Sequence, residues 1–280
     1  MTRKPIVAGQ FYPANKNELM KQIKDSFNSE FGPGNASQGK IEKVKAVINP
    51  HAGYFFSGAG AAHGFKRIKE GGVPDVFVII GLSHNIPKSG ISLEDWETPL
   101  GVAENDNELG EIIIRNTGLE QDEHLHMMEH SLEVQVPFIQ FISKKAKIVP
   151  IIASEDFDYK KLGEGIKKSI KEYDKKVVVV ASSDFTHYGA NYGFVPFSGN
   201  VKENMKKLDK GAIEFILKKD AKGFLKYVEK TGATICGRWP IAVLLSAVDC
   251  DKVELLRYYT SGDIVGDYES AVGYASIVFY

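Results

Sequence analysis

A chain of 280 residues, 43% hydrophobic and 25% charged, has ordinary globular composition and is long enough to bury a large core without staples. Its formal net charge of −1 offers no global field to nucleic acid or a membrane surface. Two cysteines are too few for a disulfide framework, no window approaches a transmembrane length, and the N-terminus lacks a signal-peptide pattern, so the expectation is a soluble cytoplasmic protein.

The first predicted element is a helix in "NKNELMKQIKDSFNSEF" (15–31), where Leu19, Ile23 and Phe27 recur at helical spacing. A Gly- and Pro-rich loop follows, from Phe31 to Lys40. Apolar, β-branched runs at 45–49, 75–81, 147–154, 175–182, 253–260 and 271–280 read as strands. The central ones do not alternate, which fits strands covered on both faces. Helical patterns lie between them, at 107–116, 128–142, 159–173, 211–219 and 221–230, and an apolar helical run follows Pro240. Strands alternating with helices predict an α/β fold, a mostly parallel central sheet flanked by helices, in one domain over residues 1–280.

In such sheets ligands bind outside the carboxyl ends of the strands. The residues just after three runs share a theme. "NPHAGY" brings His51, "LSHN" brings His84, and "SDFTHYG" brings Asp184 and His187. Pro50 and Gly53 are expected to fix a close turn that faces His51 over the sheet rim. Neutral imidazole binds metal through one nitrogen while the other needs an orienting partner. Asp184, three positions before His187, suits a ligand, an orienter or a base. Cys236 in "TICGRWPIAVLLSAV" falls at a loop-to-helix junction, where backbone N–H groups are expected to lower a thiol's pKa. Thiolate and imidazole together suit zinc, copper or ferrous iron. Cys250 has no companion motif and reads as a small buried hydrophobe. In "EHLHMMEHSLEVQVPF" (123–138), His130 is placed at a helix start facing the rim. His124 and His126 read as exposed, and His63 as core or surface.

The segments "AGQFYP" (8–13), "PHAGY" (50–54), "GLSHN" (81–85), "EHSLEVQVPF" (129–138), "SSDFTHYG" (182–189) and "ICGRWPI" (235–241) resemble those of the Memo family, named for a mediator of cell motility. The resemblance implies a fold similar to class III, non-haem iron extradiol dioxygenases and a metal-capable pocket. It assigns His51, His84 and Cys236 as metal ligands for iron(II), copper or zinc, with no organic cofactor. Asp184 and His187, with His130, become the catalytic candidates. Phe11, Tyr54 and Glu129 become contacts to a small-molecule or peptide ligand. Phe11 stands where the animal protein of the family has Trp, keeping the apolar face and dropping the indole donor. The prokaryotic side of the family implies AMMECR-type or radical-SAM protein partners, with no nucleic acid and no membrane.

Three functions compete. A metal-dependent oxidoreductase would use His51, His84 and Cys236. A hydrolase or transferase would use Cys236 as nucleophile, His51 or His187 as base and Asp184 as orienter. A binding module would hold a ligand in the same cleft without turnover. Dioxygenases of the similar fold hold iron with two histidines and a carboxylate, whereas this chain offers two histidines and an oxidisable cysteine. A redox-capable metal pocket therefore leads and ring cleavage stands behind it.

Overall fold

The computed structural model describes residues 2–34 and 42–280, so most of the loop expected over 31–40 lies outside the described residues. The strands are β1 (Thr2–Arg3), β2 (Ala46–Asn49), β3 (Val76–Gly81), β4 (Gly90–Ile91), β5 (Asp95–Thr98), β6 (Gly101–Ala103), β7 (Lys147–Ile152), β8 (Val177–Ser182), β9 (His187–Gly189), β10 (Val253–Thr260) and β11 (Ser270–Phe279). The helices are α1 (Lys16–Asn28), α2 (Tyr54–Gly71), α3 (Asn107–Thr117), α4 (Glu123–Met127), α5 (Val136–Ile142), α6 (Tyr159–Glu172), α7 (Val201–Leu217), α8 (Ala221–Thr231), α9 (Arg238–Ala247) and α10 (Ser261–Val265).

The large sheet runs β10-β11-β2-β8-β3-β7-β4, with β9 paired to β11. Its centre, β2-β8-β3-β7, is parallel, and β11, β10 and β4 extend it antiparallel at the two sides. Helices cover both faces. Leu109, Ile113, Ile166, Phe224, Ile241 and Leu244 pack on one side, and Leu19, Ile23, Phe65 and Phe138 on the other. Every residue of β3 is buried, which is why its run "VFVIIG" carries no polar alternation. A small sheet of β1, β5 and β6 lies apart from this one. Its strands are too short to leave a period in the sequence. Among the described residues no helix is long and apolar enough to cross a membrane.

Three expectations change. The helix expected over 128–142 begins only at Val136, after a 3-10 turn at Glu133–Gln135. Pro137 belongs to its first turn, where the missing N–H costs nothing, so it marks the start and not the interior. The helix expected at 211–219 starts ten residues earlier, at Val201. Asp209, wholly buried at a position where the pattern calls for an apolar residue, breaks the visible period there. His126, read as exposed, is fully buried in α4, with Nδ1 2.9 Å from the Asp122 carbonyl.

Candidate metal centre

His51 follows the end of β2 across Pro50 and is only 2% exposed. Its backbone N–H donates to Asp184 Oδ1 at 2.8 Å. Gly53 caps α2 with an ordinary φ of −54°, and a Cβ there would lie 3.5 Å from the Phe11 carbonyl oxygen. The turn therefore does not need glycine for a close approach. That need falls on Gly237, after the cysteine, where a Cβ would come within 2.4 Å of Ser183 Cβ.

The tautomer of His51 follows from its neighbours. Nδ1 lies 3.1 Å from Ser182 Oγ. That hydroxyl donates to the Ser131 carbonyl at 2.6 Å and accepts from Gln135 Nε2 at 2.8 Å. A serine has one proton to give, so the proton between Ser182 and His51 belongs to the imidazole. Nε2 keeps its lone pair and faces Cys236 Sγ at 3.2 Å. Burial, reinforced by His130 and His84, pushes the His51 pKa well down, so the ring is neutral.

His84 reaches the same arrangement by a charged route. It follows β3 with its side chain 35% exposed. Glu129, wholly buried, places Oε1 3.0 Å and Oε2 3.2 Å from His84 Nδ1. The same carboxylate accepts the backbone N–H groups of His84 and Ser131, each at 2.7 Å. Burial alone would raise its pKa, but the His84 and Ser131 hydrogen bonds overcome this and hold it at about 2. An ionised carboxylate only accepts, so His84 Nδ1 is a donor and its Nε2 is open.

Cys236 lies in the loop between α8 and α9, against the residues that follow β8. Its Sγ accepts the Asp184 N–H at 3.3 Å. Burial, followed by the nearby Asp184 carboxyl, pushes the thiol's pKa far up. This corrects the expectation of a lowered pKa: Gly237 gives its N–H to Ser183 Oγ at 3.1 Å, and low dielectric outweighs the helix start. One ligand atom from each of His51, His84 and Cys236 falls within 4.8 Å of the others. A second group, His84, Glu129 and His130, meets the same distance. There the Glu129 oxygens are already filled by the hydrogen bonds above, so this group is an orienting unit and not a ligand set.

Asp184 and His187 stand beyond. Asp184 is 3% exposed, and burial raises its pKa against the pull of His187 and the His51 N–H. His187 Nδ1 sits 2.9 Å from the Phe185 carbonyl and 3.0 Å from that of Thr234, so it too is a donor with Nε2 left open. His130 stacks on His84 with centroids 4.5 Å apart and meets Phe11 at 4.7 Å. A cavity of about 420 Å³ is lined by His51, His84, His130, Asp184 and His187 together with the rings of Phe11, Phe56, Tyr192 and Tyr274. Tyr54 and Glu129, expected to touch a ligand, are not on its wall. Tyr54 is buried and donates to the Val134 carbonyl at 2.6 Å, and Glu129 is turned to His84.

The sequence reading passed over Ser182, Gln135 and Thr234. Ser182 ends β8, so the strand-end rule that found His51 would have found it. Gln135 lies in the "EHSLEVQVPF" segment, but a neutral amide carries no chemical flag of its own.

A family model described as Memo-like protein matches residues 3–278. A MEMO1 family protein of Methanopyrus kandleri is 39% identical over 291 aligned positions, covering 100% of this chain and 99% of that one. Relatives so named in Thermococcus kodakarensis and Sulfurisphaera tokodaii are 40% and 41% identical, each covering 100% of this chain and 99% of its own. Among solved structures, an uncharacterized protein of Escherichia coli K12 superposes with a TM-score of 0.56 at 12% identity, covering 85% of this chain and 100% of that one, a likeness of fold alone. With its full length aligned to these relatives and its six motifs in place, the chain belongs to the Memo-like family.

Proposed function

We propose that this protein is a metal-binding redox protein in which His51, His84 and Cys236 hold iron(II) or copper. One observation carries the reading. Both imidazoles have Nδ1 fixed as a donor, one by Ser182 and one by Glu129, so both Nε2 lone pairs are available beside a thiol. This is the orienting pattern that metal-binding histidines require. Two imidazoles and a sulfur fit a soft or borderline ion.

A bound ferrous or copper ion would supply one-electron chemistry. The chain's residues do the rest. Cys236 gives up its proton on binding, which makes uptake pH-dependent. His187 Nε2 can take a proton from a ligand in the cavity. Phe11, Phe56 and Tyr274 give its wall apolar ring surface. The Cys–His hydrolase reading is weaker, because a nucleophilic thiol needs a lowered pKa and this one is raised.

The test is anaerobic metal analysis of freshly purified protein, with Cu(I) and Fe(II) titrated into wild type and Cys236→Ser. Serine keeps its proton near neutral pH, so affinity should fall at least about tenfold, or roughly 1.4 kcal/mol, most for Cu(I). Unchanged affinity for both metals, with an unchanged melting temperature, would remove Cys236 from the site.

A further inference from the structure

A second cavity, of about 510 Å³, shares no lining residue with the first and opens along the β10 edge of the large sheet. Its wall includes His63, Lys66 and Arg67 from α2 and Glu254 and Arg257 from β10. The α2 residues are spaced i, i+3, i+4 and so share one helix face.

Arg257 reaches that face through an irregularity. β10 pairs Leu255 with Ile277 but Arg257 with Ser276, so one extra residue is inserted between them. In a regular strand Arg257 would share the face of Leu255, which packs with the cluster containing Ile213 and Phe224. The bulge turns it to the α2 side. Its guanidinium carbon lies 5.4 Å from the centre of the Phe31 ring, and its Nε is buried with no hydrogen-bond partner among the described residues. A buried cationic donor left unpaired is costly.

The surroundings are positive. His63 Nε2 is 2.9 Å from the Phe31 carbonyl, which can only accept, so that nitrogen holds the proton and Nδ1 is open. Burial lowers the His63 pKa, and Arg257, Lys66 and Arg67 lower it further. The nearby carboxylates have cations of their own. Glu254 pairs with Lys252 at 2.8 Å, and Glu70 lies 3.8 Å from Lys66 and 3.5 Å from Arg67.

We propose that this edge cavity binds a small multivalent oxyanion of the phosphate class, with Arg257 as its anchor and the α2 cations supplying the field. A guanidinium fork matches the oxygens of such an anion. No residue of the metal centre takes part, so the site stands or falls independently of the redox reading.

The experiment is calorimetric titration of inorganic phosphate into the full chain at constant ionic strength, alongside malonate as a dicarboxylate and chloride as a salt control. Wild type, Arg257→Gln and Arg257→Lys are compared. Saturable phosphate binding should weaken at least about tenfold in Arg257→Gln and by less in Arg257→Lys, which keeps the charge and loses the fork. Phosphate should also move the NMR titration of the His63 imidazole upward in wild type. If Arg257→Gln fails to fold, the lysine variant and the His63 signal carry the test. Equal affinity in all folded variants, no saturable binding at millimolar phosphate, or malonate binding as tightly as phosphate would each overturn the proposal.

Discussion

Glu129 and Glu133 lie one helical turn's worth of sequence apart, both fully buried, and they serve different ends. Glu129 collects His84 and Ser131 and so belongs to the candidate metal centre. Glu133 collects the start of the chain. It accepts the N–H groups of Ile6 and Val7, the Tyr12 hydroxyl at 2.6 Å and the Arg3 guanidinium at 2.7 Å. Arg3 also donates to the carbonyls of Glu129 and His126, each at 2.7 Å. Residue type and burial are identical, so it is the partners that separate a carboxylate of the site from a carboxylate of the scaffold.

The largest expected effect tests the scaffold half. Glu133→Ala leaves the buried Arg3 charge without a counter-ion and the N–H groups of Ile6 and Val7 without their acceptor, at a cost of about 3–5 kcal/mol. For a chain of this size that lowers the melting temperature by about 10 °C, while folded variant should bind metal as wild type does. A thermal melt showing a loss of less than about 1 kcal/mol would erase the contrast.

A third buried carboxyl sharpens it. Asp209 accepts Thr186 Oγ1 at 2.5 Å, the Thr186 N–H at 3.1 Å and the Tyr258 hydroxyl at 2.7 Å, with no cation among these partners. Burial dominates and raises its pKa from 3.8 to about 6. The folded state therefore binds the proton more tightly than the unfolded one. The contribution to stability is complete below pH 3.8 and is lost as pH rises through 6, on the order of 3 kcal/mol in all. Denaturant melts of wild type and Asp209→Asn across that window check the sign: the variant should lack this downward slope.

The site half is tested next. Glu129→Gln keeps the shape but can no longer fix His84 as a pure donor to an anion. Metal affinity should drop about 10–100-fold, with a smaller stability loss than in Glu133→Ala. Metal titration reads the first and a melt the second, and a reversed ranking would exchange the two assignments. Smallest is Ser182→Ala, which removes the acceptor for the His51 Nδ1–H and a partner of Gln135 and Ser131. About 1 kcal/mol is expected in a denaturant melt, with the His51 tautomer no longer fixed in ring-nitrogen NMR shifts.

These carboxyls also mark what was legible in the sequence. The parallel centre could be read because β3 and β8 are buried on both faces and leave unbroken apolar runs. His51, His84, Asp184 and His187 could be read because strand ends in such a sheet converge. The stretch from 128 to 135 misled, since Glu129 and residues 131–135 are buried as a helix face would be, yet they form a loop and a 3-10 turn before Val136. Neither Arg3 nor Glu133 announces its burial, as each depends on a partner more than a hundred positions away. The pKa direction of Cys236 was hidden for the same reason: the dielectric around a thiol is a property of the packed molecule.

The distances along the chain within the candidate metal centre have a kinetic consequence. Cys236 meets His51 across 185 residues, Asp184 meets His51 across 133, and even His84 and Glu129 are 45 apart. No local segment can hold two of the three proposed ligands, so an ion cannot template early folding and has affinity only for the closed sheet. Until closure, the thiol has neither the imidazole nor the low dielectric that later suppresses its reactivity, and it passes through folding as an ordinary oxidisable cysteine. Refolding yield should therefore depend on reductant supplied before closure, and on metal only after it.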